Sequence, residues 1–190
     1  MDTNLPTGTV TFLFTDIEGS TRLWQEQPQA MAISHERHDA ILRQAIESQN
    51  GYVMEIVGDA FAAAFHTALD GLQAALAAQR SLQAEAWGET GAIRVRMGLH
   101  TGASEIAWDG STHYHEDYTT LASTQRVMSV AYGGQVLLSH TTRELLQNDL
   151  PVEVSLRDMG EHRLKDLRSP LHLYQLVTPA YPKTSPPSNR

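Results

Sequence analysis

The chain has 190 residues, a length that fits one domain with or without tails. Hydrophobic residues make up 41% of it and charged residues 19%, which favours a folded globular protein over a disordered one. Lys and Arg number 14 against 22 Asp and Glu, and the net charge of −8 disfavours general binding of nucleic acid or of an anionic membrane. The chain has no cysteines, which excludes disulfides, thiolate nucleophiles and Cys-ligated zinc.

The two ends of the sequence carry separate expectations. Residues 1–9 lack the positive start and apolar core of a signal peptide, and no apolar run approaches the ~20 residues that span a bilayer. We therefore expect a cytoplasmic protein. From Thr178 onward the sequence contains four of the eight prolines and has no apolar periodicity. This pattern predicts a domain over 1–177 and a disordered Pro/Ser-rich tail over 178–190.

Strands and helices alternate along the rest of the chain. Strands are expected at 8–15, 52–57, 60–66, 93–101, 104–108, 136–138, 152–156 and 171–177, and helices at 28–49, 67–86, 118–131 and 141–148. Gly58-Asp59 is a tight-turn pair at the tip of a hairpin. The last two strands are expected to pair antiparallel. This order predicts an α+β fold, with helices on one face of a mainly antiparallel sheet.

The first candidate functional segment is 14–21, FTDIEGST. A buried strand ends in Asp16, and the chain then turns through Gly19 into a helix. Backbone N–H groups of Gly19, Ser20 and Thr21 at such a turn suit a phosphate, and a carboxylate at the strand end suits a hard cation. The alternative interpretation is that Asp16 caps the helix, as Asp often does.

Asp59, at the hairpin tip, is the second candidate residue. Alone it would be an ordinary turn aspartate. Two aspartates at the ends of adjacent strands, however, form a pair that can hold two Mg²⁺ ions, which activate an attacking oxygen and neutralise a leaving pyrophosphate. Asp16 and Asp59 together are therefore a stronger signal than either residue alone.

Five segments carry a family resemblance: FTDIEGST, GDAFAAAF, IRVRMGLHTG, GGQVLLS and GEHRLKDL. In this order and spacing, over roughly residues 7–177, they resemble the catalytic domain of class III nucleotidyl cyclases, the family of adenylate and guanylate cyclases. The resemblance implies a ferredoxin-like βαββαβ palm, a head-to-tail homodimer with composite active sites, and two Mg²⁺ or Mn²⁺ ions per site. It also implies conversion of a nucleoside triphosphate to a 3′,5′-cyclic monophosphate and pyrophosphate.

The resemblance further implies roles for single residues. Asp16 and Asp59 match the metal-binding aspartates, and the backbone carbonyl of Ile17 is expected to reach a metal. Arg126 matches the arginine that meets charge developing on the transferring phosphoryl group, the alternative being a surface arginine. Lys165 matches a triphosphate-binding lysine, the alternative being a solvated side chain.

Two base-reading positions depart from the usual pattern of purine cyclases. The position four residues before the second metal aspartate is Glu55, as in guanylate cyclases, and the position eleven residues before Arg126 is His115. A carboxylate only accepts hydrogen bonds, so Glu55 favours a ring N–H, and His115 could donate to the neighbouring carbonyl. This pair suits guanine or uracil and disfavours adenine. A transition-metal site at His113 and His115 is the weaker interpretation because a third ligand is missing.

A third departure concerns the ribose. The asparagine that orients it in the family is replaced by Ala122, for which Thr119, Ser123 or Gln125 could substitute. A stand-alone chain with these departures is similar to the pyrimidine cyclases of the Pycsar antiphage system, whose cyclic nucleotide is read by a separate effector. UTP is therefore the favoured substrate and cUMP the expected product, with GTP or ATP in ordinary signalling as alternatives.

Two other function classes are alternatives to an active nucleotidyl cyclase. A degenerate homologue that only binds a nucleotide or a partner is slightly favoured by Ala122 and His115. It is disfavoured by the survival of Asp16, Asp59 and Arg126, since an inactive protein has no chemical need for all three. A diguanylate cyclase palm is disfavoured because the hairpin reads VGDA.

Overall fold

The computed structural model of the protein describes residues 5–104 and 118–179. Within these ranges the strands are β1 (Gly8–Ile17), β2 (Tyr52–Val57), β3 (Ala60–Phe65), β4 (Val95–Ser104), β5 (Val136–Ser139), β6 (Ser155–His162) and β7 (Leu171–Val177). The helices are α1 (Ser20–Glu26), α2 (Pro28–Glu47), α3 (Ala68–Ala84), α4 (Tyr118–Ser129) and α5 (His140–Leu145), with a 3₁₀ turn at Gly88–Thr90. None of the helices in these ranges is both long enough and apolar enough to cross a membrane.

One sheet joins these strands in the order β2-β3-β1-β4-β5-β7-β6. Its first four strands, with α2 and α3, form a βαββαβ unit in which every neighbouring pair is antiparallel, which confirms the predicted ferredoxin-like fold. The β4–β5 pair is parallel, since α4 provides the crossover that such a pair needs. The predicted antiparallel pairing of the last two strands is also confirmed.

Helices cover both faces of the sheet, whereas the sequence pattern favoured one face. Alternate residues of a strand point to opposite faces. Leu13 and Leu99 lie in the main core, which α2 and α3 share. Gly98 lies on the other face, under α4, where a Cβ would come within 2.4 Å of the backbone N of Met128. The sequence pattern missed this layer because a glycine carries no hydrophobic signal to mark a buried face.

The strand predicted at 152–156 begins later than expected. β6 starts at Ser155 and continues to His162, while Val152 is exposed. The N–H of Val154 donates to the carbonyl of Pro151 at 2.8 Å, so the chain forms a turn just before the strand. Val152 and Val154, the apolar residues at the start of the predicted strand, therefore lie in the turn before β6.

Some predictions lie outside the described ranges. Of the strand predicted at 104–108, only Ser104 lies within the described ranges, and it is the last residue of β4. Of the predicted tail, Thr178 is buried, and residues 180–190 are outside the described part of the chain.

Candidate active site

Two aspartates lie near the point where β1 ends. Asp16 and Ile17 are the last residues of β1, and Asp59 lies in the tight turn between β2 and β3. Oδ2 of Asp59 accepts a hydrogen bond from the backbone N–H of Ile17 at 3.0 Å. The hairpin tip is thereby fixed against the end of β1, and we call Asp16, Ile17 and Asp59 the carboxylate cluster.

Strand pairing explains why the hairpin tip reaches this position. β1 runs antiparallel to β3 with Thr15 opposite Phe61, so the turn that precedes β3 falls beside the end of β1. The N–H of Phe61 also donates to Oγ1 of Thr15 at 3.3 Å. The turn itself needs a glycine, because Gly58 has a φ of 60°, in the left-handed region that other residues rarely adopt.

Asp16 forms an ion pair across the sheet. It is part of β1, not the residue after the strand, and its register partner on β4 is Arg96. Nε of Arg96 donates to Oδ2 of Asp16 at 2.8 Å, and Nη2 contacts the same oxygen. The helix-cap interpretation of Asp16 is wrong, since Gly19 is the N-cap of α1 and no side chain caps this helix. The guanidinium offsets part of the negative charge that the carboxylate cluster gathers.

The donor atoms of the carboxylate cluster fit a hard divalent cation. Mg²⁺ prefers oxygen ligands and is commonly held by one or two carboxylates together with substrate phosphates and water. In residues 5–104 and 118–179, no group of three or more His, Asp or Glu side chains is arranged to hold a metal ion. A cation here would thus be held by Asp16, Asp59 and the Ile17 carbonyl, with the phosphates of a substrate completing its coordination.

The predicted turn from β1 into a helix is present. Gly19 has a φ of 74°, and α1 begins at the next residue, Ser20. The carbonyl of Gly19 accepts from the N–H groups of Arg22 and Leu23 at 3.1 and 3.3 Å. The N–H groups of Ser20 and Thr21 consequently lie at the open end of this short helix, close in sequence to Asp16.

A β-bulge turns Glu55 toward the sheet face that carries Asp16. The register of β2 against β3 shifts between Val53 and Glu55, so Glu55 lies opposite Ala62. Ala62 lies opposite Phe14, which shares its face of β1 with Asp16. Regular alternation would have put Glu55 on the other face. Glu55 and Asp16 are separated by two strand spacings across the sheet and by two residues along it. Their Cα atoms therefore lie about 12 Å apart.

A second polar site lies on one face of α4. Thr119, Ala122 and Ser123 recur at intervals of three and four residues, and Arg126 continues the same face. The first three line a cavity of about 640 Å³ together with Asp166, Leu167, Arg168, Ser169 and Leu171. Nη2 of Arg126 contacts the Asp166 carboxylate. We call this space the α4 cavity.

The loop between β6 and β7 forms the other wall of the α4 cavity. Leu164 is buried and packs with Leu167 against residues of α4 that include Val127. Lys165 follows Leu164 and is exposed, and Asp166 has a φ of 63°. The packing of the two leucines therefore holds this loop against α4, where Asp166 contacts Arg126.

The three residues that could replace the missing asparagine differ in whether they line the α4 cavity. Thr119 and Ser123 line the α4 cavity with Ala122, whereas Gln125 is exposed and lies outside the lining. His115, the second proposed base-reading residue, and His113 lie outside the described ranges.

The polar side chains of the carboxylate cluster and of the α4 cavity have different partners. Asp16 contacts Arg96, Asp59 contacts Ile17, and Arg126 contacts Asp166. No hydrogen bond or ion pair described for 5–104 and 118–179 joins the two sites.

Sequence reasoning missed two charged residues at these sites. Arg96 could have been found only from the register of β4 against β1, which composition does not reveal. Asp166 had a weak signal, its position directly after Lys165.

Comparison with known proteins relates the chain to cyclases. The family model of the adenylate and guanylate cyclase catalytic domain matches residues 3–178. An uncharacterized protein of Mycobacterium tuberculosis is 38% identical over 186 residues, which are 96% of this chain and 60% of that protein. A receptor-type adenylate cyclase of Trypanosoma brucei brucei is 29% identical over 209 residues, covering 90% of this chain and 17% of that protein. The chain thus spans 60% or less of the length of these relatives.

The fold matches solved structures of cyclases. An adenylate cyclase from Trypanosoma brucei, solved in its monomeric state, superposes with a TM-score of 0.85 at 27% identity, covering 96% of this chain and 94% of that one. The adenylyl cyclase CyaB from P. aeruginosa superposes with a TM-score of 0.76 over 90% of this chain and 94% of that one. At 23% identity, this second likeness shows the fold alone.

Proposed function

We propose, because the chain belongs to the family of adenylate and guanylate cyclase catalytic domains, that it is a nucleotidyl cyclase, a phosphorus–oxygen lyase. It would convert a nucleoside triphosphate to a 3′,5′-cyclic monophosphate and pyrophosphate. The observation that carries this proposal is the hydrogen bond of 3.0 Å between Asp59 and the backbone of Ile17. That bond places the Asp59 carboxylate at the end of β1, next in sequence to Asp16, and carboxylate and carbonyl oxygens are the donors that a phosphate-bound divalent cation needs.

In the proposed reaction, the ribose 3′-oxygen attacks the α-phosphorus. A new P–O bond forms as the α–β phosphoanhydride bond breaks, pyrophosphate leaves, and the hydroxyl proton passes to solvent. Divalent cations, two per site, would lower the pKa of the hydroxyl and neutralise charge on the pyrophosphate.

Residues of this chain would bind the cations, the phosphates and the transition state. Asp16, Asp59 and the Ile17 carbonyl would hold the cations. The turn at Gly19, Ser20 and Thr21, together with Lys165, would bind phosphate oxygens. Arg126 would donate hydrogen bonds to the charge that develops on the phosphoryl group, a contact that stabilises the transition state more than the ground state.

A homodimer with composite active sites is part of this proposal. Arg126 contacts Asp166 of its own chain, and no contact described for 5–104 and 118–179 joins it to the carboxylate cluster, which supports a site shared between two chains. On the face that carries Asp16, Glu55 is exposed and Phe14 is half-buried, which leaves room for a partner beside α4. A second copy arranged head to tail would bring its α4 cavity to this face, and two-fold symmetry would create two such sites.

For the base, we propose a ring that offers an N–H next to a carbonyl. Glu55 is exposed on the face of the carboxylate cluster, and its carboxylate accepts hydrogen bonds only. Uracil N3–H and guanine N1–H both satisfy it, whereas the unprotonated ring nitrogen of adenine would face it with a lone pair. Ser123 and Thr119 line the α4 cavity and could orient the ribose in place of the missing asparagine.

The choice of UTP over GTP rests on the resemblance to the Pycsar pyrimidine cyclases. In that case the product is cUMP, a second messenger of antiphage defence that a separate effector protein reads. Glu55 can accept from the ring N–H of either base, and identification of the product distinguishes uracil from guanine.

A product assay tests the proposal. The purified protein is incubated with Mn²⁺ and each of the four ribonucleoside triphosphates in turn, and the products are identified by mass spectrometry. We expect cUMP from UTP. If the main product is cGMP, the choice of UTP is wrong, but the proposed contact of Glu55 with a ring N–H still holds. If the main product is cAMP, both proposals are wrong. No cyclic nucleotide from a folded, nucleotide-binding dimer would identify a degenerate homologue.

A further inference from the structure

Two histidines on α2 lie behind the turn that carries Asp59. Nε2 of His35 is 3.1 Å from the carbonyl oxygen of Gly58. Because a carbonyl can only accept, Nε2 carries the proton and donates it to this bond. The ring of His38 lies next to it, with 6.1 Å between the ring centroids, and is completely buried. The proposed cyclisation uses neither residue.

Asp39 connects the two rings. Its Oδ1 is 2.9 Å from Nδ1 of His38, and its Oδ2 is 3.8 Å from Nδ1 of His35. A carboxylate accepts, so the proton of His38 is on Nδ1, and Nε2 is a buried lone pair without a hydrogen-bond partner among the described residues. Burial lowers the pKa of His38, which packs edge-on against Phe61 at 5.8 Å. His38 is thus a buried hydrogen-bond donor to Asp39.

His35 contacts the elements that surround the carboxylate cluster. Its ring lies 5.8 Å from the ring of Trp24 on α1, the helix that follows β1. Its hydrogen bond to Gly58 holds the hairpin turn from the α2 side, while Ile17 holds the Asp59 carboxylate from the β1 side. The turn is therefore fixed at two points, and Gly58 has no side chain to add a third.

We propose that His35 is a positioning residue for Asp59. Its hydrogen bond to the Gly58 carbonyl keeps the turn in the arrangement that directs the Asp59 carboxylate at Ile17. Asp39, together with His38, keeps the imidazole of His35 in place. The effect on cation binding rests on the proposed function, whereas the effect on the turn does not. Loss of the bond would weaken the hold on a divalent cation and leave the base and ribose contacts unchanged.

Three variants separate this role from a general loss of stability. His35→Phe keeps a ring against Trp24 but cannot donate to Gly58. His35→Gln keeps an amide donor near the position of Nε2. His140→Phe is the matched control, since His140 lies at the start of α5 with 55% of its side chain exposed. The readouts are hydrogen–deuterium exchange of residues 57–60 without nucleotide, and the Mn²⁺ concentration at half-maximal activity in a MnCl₂ titration.

We expect His35→Phe to exchange faster at 57–60 and to need about tenfold more Mn²⁺, with kcat at saturating Mn²⁺ within about threefold of wild type, as for one lost hydrogen bond. His35→Gln and His140→Phe should match wild type in both readouts. Unchanged exchange at 57–60 in His35→Phe, or a rise spread over all of α2 and the sheet, would overturn the positioning role.

The two readouts also distinguish the inference from the function on which it rests. Faster exchange at 57–60 with an unaltered Mn²⁺ requirement would overturn the effect on cation binding. Because the exchange measurement needs no turnover, it tests the contact between His35 and Gly58 even if the wild-type protein forms no cyclic nucleotide.

Discussion

The carboxylate of Asp59 and the backbone N–H of Ile17 are joined by a hydrogen bond of 3.0 Å. This bond uses one lone pair of Oδ2, and the other lone pairs of the carboxylate are available for the proposed contact with a cation. Asp59 therefore combines a structural task with a chemical one. The two tasks differ in what they require, since the first needs only an acceptor and the second needs a negative charge.

Asp59→Asn should separate these tasks. The amide oxygen can still accept from the Ile17 N–H, so we expect the melting temperature to stay within a few degrees of wild type. Loss of the charge should lower cyclase activity at least ~100-fold, since even residues that only orient a metal ligand cost up to about that factor. Asp59→Ala and Asp16→Ala should also be inactive. Cyclase assays with Mn²⁺ and thermal melts followed by circular dichroism test this, and an active Asp59→Asn would contradict the metal assignment.

The composite site predicts complementation between two inactive variants. Asp59→Ala damages the carboxylate cluster, and Arg126→Ala damages the other half of the site. If these halves come from different subunits, an equal mixture should regain about a quarter of wild-type activity, since half of the dimers are mixed and one of their two sites is intact. A mixture of Asp59→Ala with Asp16→Ala is the control and should stay inactive. No rescue despite demonstrated subunit exchange would place the site within one chain.

Glu55→Ala tests the proposed recognition of the base. Its side chain is exposed, so the free energy of unfolding should hardly change. Activity with UTP should fall about 10- to 100-fold and the preference among nucleotides should weaken, because one charge-assisted hydrogen bond is lost. Glu161→Ala, an exposed glutamate on β6, is the matched control. A wild-type preference for ATP, or an unchanged preference in Glu55→Ala, would show that the account of the base is wrong.

Gly98→Ala should disturb α4. An added Cβ would lie 2.4 Å from the backbone N of Met128, so the helix that carries Arg126 must move. We expect a loss of roughly 1–3 kcal/mol in the free energy of unfolding, typical of overpacking, together with reduced activity. Gly71→Ala on α3 is the control, because its nearest neighbour is a side-chain methyl of Thr11 at 3.1 Å. Urea unfolding compares the two, and equal stability losses would contradict the special role of Gly98.

Acid should destabilise the protein through His100. Burial lowers the pKa of His100 from 6.5 to about 4, and its Nδ1 lies 2.7 Å from Oγ of Ser139. Since the folded pKa is the lower one, the unfolded chain takes up the proton first as the pH falls. The stability from neutral His100 is therefore complete above pH 6.5 and is lost toward pH 4, at up to about 1.4 kcal/mol per pH unit. Burial of His38 acts in the same direction.

His100→Asn isolates this contribution, because asparagine can keep a polar contact with Ser139 but does not titrate. Urea unfolding at pH 7 and pH 5 should show a smaller loss of stability in this variant than in wild type. The same loss in both proteins would mean that other groups cause the acid sensitivity.

The fold and the position of the Gly58-Asp59 turn beside the end of β1 could be predicted because their signals are local. Strand alternation, helical periodicity and the Gly58-Asp59 turn each lie within a few neighbouring residues. The ion pair of Asp16 with Arg96 could not be predicted, since it depends on the register of two strands that are distant in sequence. The orientation of Glu55 depends on a bulge that has no signature in composition.

β2 lies at the edge of the described sheet, and its bulge at Glu55 has a neighbouring strand on one side only. Asp16, by contrast, lies on β1, which β3 and β4 flank. Replacement of an exposed side chain on an edge strand leaves the packing of the interior untouched. If Glu55 contacts the base as proposed, a change of base preference needs a substitution only at this edge, and the strands around Asp16 keep their packing.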